Sequence, residues 1–86
     1  MNNETKELIF SVIKGEVDSV RLPMIPIDDV ITLLQEKGYI DKDDNGDYDS
    51  NGWQVDFWLQ FHINESIYTL SGSLWYGQYK FFKEDE

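Results

Sequence analysis

The chain has no cysteine, one histidine, and only seven Lys and Arg residues against seventeen acids. Each shortage removes a class of function. Without cysteine there is no disulfide, thiolate metal site or cysteine nucleophile, and a small domain that manages without disulfides suits a reducing compartment. One histidine is too few for a zinc site. The few Lys and Arg are not clustered, which excludes direct binding to a nucleic-acid backbone and disfavours an anionic membrane surface. No apolar run approaches the ~20 residues that span a bilayer. The opening MNNETKELIF lacks the basic and apolar regions of a signal peptide. The expectation is a cytoplasmic protein with no membrane association.

What is present is a single small domain of 86 residues with a formal charge of −10. A chain of this size buries only about 60% of its unfolded surface. Aromatic residues offset that handicap, since each large ring buries about 150–250 Å². Ten of the thirteen aromatics fall between Trp53 and Lys83, the stretch around which the fold is organised.

From Trp53 the apolar residues recur at 53, 55, 57, 59, 61 and 63, a period of two that marks a strand with one buried face. Asn64-Glu65-Ser66 turns it into a second strand over about 67–76, and Gly77-Gln78 suits a tight turn into a third over 79–83. Upstream, Asn3 is a candidate cap for a helix from about Glu4 to Lys14, ended by Gly15. A second helix runs from about Ile27 to Lys37, with Asp28 and Asp29 in its first turn and Gly38 just beyond its end. Glu16 to Pro26 reads as an extended connection able to form an edge strand. The predicted fold is α+β: two N-terminal helices on one face of a three-stranded antiparallel meander, or a four-stranded one if the edge strand forms. The acidic end 84–86 is expected to fray. Two helices before strands also suit a winged helix, but the second helix carries Asp28, Asp29 and Glu36 against Lys37 alone, which rules out DNA reading.

Parity then sorts the side chains. One face collects Trp53, Val55, Phe57, Leu59, Phe61 and Ile63 with Tyr68, Leu70, Gly72, Leu74, Tyr76, Tyr79 and Phe81, and is assigned to the core. The other carries Gln54, Asp56, Gln60 and His62, small residues at 69, 71 and 73, and Lys80. It also carries three aromatics, Trp58, Trp75 and Phe82. Ser71 or Ser73 is expected opposite Trp58, giving its ring a floor of small residues. Exposed aromatics mark interaction sites because Trp dominates binding hot spots. The competing reading is that the Glu16–Pro26 segment or a second copy covers them.

Asp41, Asp43, Asn45, Gly46, Asp47 and Asp49 take positions 1, 3, 5, 6, 7 and 9 of a pattern that resembles an EF-hand calcium loop. Position 12 is Gly52 where that loop needs a bidentate Glu, and a strand pattern follows where it needs a helix. A solvated loop with local Asp and Asn turns is therefore favoured over a calcium site formed by Asp41, Asp43, Asn45, Asp47 and Asp49. The same acids, with Asp44, make a negative patch able to steer a basic protein partner, in effect imitating nucleic-acid phosphates.

No catalytic constellation emerges. His62 is the lone histidine, no GxSxG motif accompanies Ser71 or Ser73, and Ser71–Ser73 lacks the pattern of a phosphate loop. The sequence predicts a non-enzymatic, cofactor-free, acidic protein-binding module, of the inhibitor or immunity-protein kind. Trp58, Trp75 and Phe82 are its anchors, and Asp41, Asp43, Asp44, Asp47 and Asp49 steer. The alternatives are calcium binding and self-association through the aromatic face.

Overall fold

A computed structural model describes residues 1–51, 54–73 and 77–84, with the backbone alone for 54 and 55. Helix α1 (Asn3–Ile13) starts one residue earlier than the sequence suggests. Asn2 is the cap, its side-chain oxygen accepting from the Thr5 N–H at 2.8 Å. Helix α2 (Ile27–Glu36) follows Pro26, whose fixed φ suits the entry, with Asp28 and Asp29 near its positive end. Both helices stop by the same device. Gly15 and Gly38 take positive φ, and the next residue's N–H reaches back five positions, Glu16 to Ser11 and Tyr39 to Leu34. This is the Schellman motif, in which glycine relieves the steric penalty of a left-handed residue.

The expected three- or four-stranded meander is corrected to a five-stranded antiparallel sheet. Its strands are β1 (Ser19–Pro23), β2 (Asp47–Asn51), β3 (Gln54–Ile63), β4 (Ser66–Ser73) and β5 (Gln78–Lys83), in the order β1-β5-β4-β3-β2. The edge strand considered for Glu16–Pro26 exists as β1, which pairs Leu22 with Tyr79. The fifth strand, β2, lies inside 41–52, read from the sequence as a polar loop with at most a small hairpin around Asn45-Gly46. Its sequence DYDSN holds few strand formers, and all five residues are exposed. It forms because β3 offers a pairing edge and Tyr48 stacks on Phe57, ring centres 5.9 Å apart. Tertiary context here overrides propensity.

Between β3 and β4, Asn64 and Glu65 both take positive φ, the two-residue turn that follows the natural strand twist. The β4–β5 register differs from the one a turn at Gly77-Gln78 implies. Gly72 pairs with Tyr79 and Ser73 with Gln78. The slip is even, and therefore leaves each residue on its face.

One face packs under the helices. Phe57, Leu59, Phe61, Ile63, Tyr68, Leu70, Tyr79 and Phe81 are buried with Ile9 and Val12 of α1 and Val30, Leu33 and Leu34 of α2. Gly72 is the notch in this layer. A Cβ there would stand 2.4 Å from Tyr79 and 2.6 Å from Phe57, whose rings close over the gap edge to face at 5.1 Å. The core-face assignments of Trp53, Val55, Leu74 and Tyr76 fall outside what is described. Of the acidic end, Glu84 is described. Its N–H bonds to the Ile67 carbonyl at 2.8 Å, and its Oε1 accepts from Thr69 at 2.9 Å and Gln60 at 3.3 Å. Asp85 and Glu86 are outside the described residues.

Candidate functional site

Alternation along five strands leaves a second face with no helix on it among the described residues. Register fixes its layout. One row across the sheet reads Arg21, Lys80, Ser71, Trp58, Asp49, and the next reads Ser19, Phe82, Thr69, Gln60, Asp47. Trp58 is 40% exposed and stands opposite Ser71. Because its neighbour Ser71 is small, the ring stands with a depression on either side. The first depression is about 460 Å³, with Arg21, Lys80, Ser71, Asp56 and Trp58 in its lining. The other is about 510 Å³, bounded by Trp58, Gln60, Asp47, Tyr48 and Asp49.

The sequence-predicted site residues divide into three groups. Trp58, Asp47 and Asp49 come together, because β2 carries both acids beside the Trp58 strand. Asp41, Asp43 and Asp44 stay in the preceding loop. There Asp44 Oδ1 accepts from the Gly46 N–H at 2.8 Å, and its carbonyl accepts from Gln35 Nε2 of α2 at 2.9 Å. Asp44 thus shapes the loop and ties it to the helix. Phe82 lies on the outer face two strands from Trp58, half-buried, with Lys80 Nζ 5.0 Å from its ring centre. Trp75 is outside the described residues, as is Gly52.

The calcium-loop pattern does not fold into a calcium-loop shape. Asn45 Nδ2 donates to the Asp43 carbonyl at 3.4 Å, while Asp47 and Asp49 ride on an extended strand. No three acids converge on one point among the described residues. His62 sits on the outer face with Nε2 3.8 Å from Asp47 Oδ2, both side chains well exposed. No described helix is long and apolar enough to cross a membrane.

Sequence reasoning did not connect Arg21 with this site. Arg21 arrives because β1 pairs with β5, which sets it beside Lys80, with its Nη1 3.5 Å from Gln78 Oε1. Asp56 joins the same depression. Tyr48, 60% exposed, borders the second depression from the β2 edge, but it pairs with Leu59 and its ring stacks on Phe57 of the inner face. The middle of the face therefore divides by charge, with Arg21 and Lys80 on β1 and β5 and Asp47, Asp49 and Asp56 on β2 and β3. Only the pattern around Lys80 and Asp56 was visible in the sequence; the rest depends on strand order.

No family model, curated protein or solved structure matches the chain.

Proposed function

We propose that the chain is a small non-catalytic protein-binding module whose bare sheet face docks a protein partner, with Trp58 as the anchor. The observation that carries this reading is the large, partly exposed indole in the middle of a sheet whose helices all lie on the other side. Trp in such a position is the commonest hot-spot residue, because it removes much apolar area from water at little rotamer cost. Asp47 and Asp49 beside it supply steering toward basic groups on the partner, consistent with the chain's charge of −10. Blocking a basic protein in the cytoplasm, as inhibitors and nucleic-acid mimics do, fits this chemistry, and a cysteine-free chain suits that compartment.

Capture from cell extract on the immobilised protein tests the reading. Wild type is expected to retain a specific partner, and Trp58→Ala to weaken retention by about 30-fold, the equivalent of ~2 kcal/mol at a hot spot. Retention should also fall as salt rises. The same proteins retained equally by wild type and Trp58→Ala would overturn it.

A further inference from the structure

The two halves of the outer face carry opposite charge, and this pattern is complementary to itself. We propose that the partner this face fits is a second copy of the chain, packed sheet against sheet about a two-fold axis parallel to β4. The inference rests on the reading of this face as a docking surface anchored by Trp58, and assigns it a second copy in place of the basic protein named above.

The argument follows from strand order. β4 is the central strand, with β5 and β1 on one side and β3 and β2 on the other. An axis lying in the interface along β4 sets the β1–β5 side of one copy over the β3–β2 side of its mate. The row Arg21, Lys80, Ser71, Trp58, Asp49 then meets its own reverse. Arg21 falls against the mate's Asp49, giving an ion pair, and Lys80 falls against the mate's Trp58, giving a cation–π contact. Ser71 lies on the axis, where its small side chain permits close approach. Neighbouring rows behave alike. Gln78 meets Asp56, and Glu84, which follows β5 beside Ile67, meets His62. No two like charges among these described residues are brought together.

The other in-plane axis, across the strands, gives the opposite result. It lays β1 over β1 and β2 over β2, so Arg21 would face Arg21 and Asp49 would face Asp49. Charge therefore selects one orientation. Aligned sheets pack with an offset of about 30°, which slides the edge strands along each other but keeps basic column against acidic column.

Size and net charge set the strength. A face five strands wide, at about 4.8 Å per strand, is smaller than the ~800 Å² per partner of a standard interface. Each copy also carries −10, so repulsion opposes encounter until salt screens it. The dimer is thus weak, and moderate salt favours it, the reverse of the salt dependence expected with a basic partner.

Sedimentation equilibrium of the full chain up to about 1 mM, a range that reaches weak interfaces, provides the test, on wild type, Arg21→Asp, Asp49→Arg and the double swap. Wild type is expected to dimerise more at 0.15 M salt, where the Debye length is about 8 Å, than at 0.01 M, where it is about 30 Å. Each single variant should weaken the dimer by about tenfold, and the swap should recover most of that loss. Asp49→Arg is the sharpest arm. It lowers the net negative charge, so general relief of repulsion would strengthen association, whereas the proposed pairing weakens it. A wild type that stays monomeric throughout, a constant unmoved by the single variants, or a swap that fails to recover would each overturn the second copy as partner. The docking reading itself would still stand or fall on the Trp58→Ala capture experiment.

Discussion

Phe57 and Trp58 are neighbours in β3, yet one is in the core and the other is 40% exposed. The same contrast runs through the whole sheet. Its inner face is a nearly continuous apolar layer closed by two helices, while its outer face mixes charges, small residues and one prominent ring. Strand alternation alone produces both, since each residue that turns inward sends the next outward. The inner face is constrained by packing, where a single atom matters. The outer face is constrained by whatever meets it, and there charge placement matters more. Thr69, like Ser73, is an exception that shows how local the distinction is. It lies on the outer face but is fully buried, because Glu84 folds over it and accepts its hydroxyl hydrogen.

Adjacent substitutions in β4 should break the symmetry most visibly. Gly72→Ala drives a methyl into the Tyr79 and Phe57 rings, at an expected cost of about 2 kcal/mol in urea unfolding. Ser71→Ala, one residue away on the outer face, should change stability by less than about 0.5 kcal/mol. A smaller effect sharpens the Thr69 exception. Thr69→Val keeps the shape but removes the hydrogen bond to Glu84, and should cost about 1 kcal/mol. A neutral result there would mean that Glu84 does not hold the strand end.

Much of the inner face was legible in the sequence because it depends on local signals. The period of two, the Asn64-Glu65 turn and the glycines at 15 and 38 all act within a few residues. What was not legible required partners distant in sequence. DYDSN contains no strong strand signal, and becomes β2 only because β3 presents an edge for it. Gly77-Gln78 looked like a tight turn, but packing of Phe57 and Tyr79 over Gly72 favours another register. The candidate site was half legible. Trp58 and its small floor followed from parity, as did the nearness of acids. The opposing column of bases did not, since it depends on β1 pairing with β5, which brings Arg21 to Gln78, 57 positions away.

The separation of the two faces is tested most directly by urea unfolding of Phe57→Ala beside Trp58→Ala, followed by far-ultraviolet circular dichroism. Phe57→Ala is expected to lose about 3–5 kcal/mol, as core aromatics do. Trp58→Ala should lose no more than about 1 kcal/mol, the span of strand propensity, and keep its cooperative transition. Equal losses from the two would place Trp58 in the stabilising core and remove the exposed anchor on which the docking face depends.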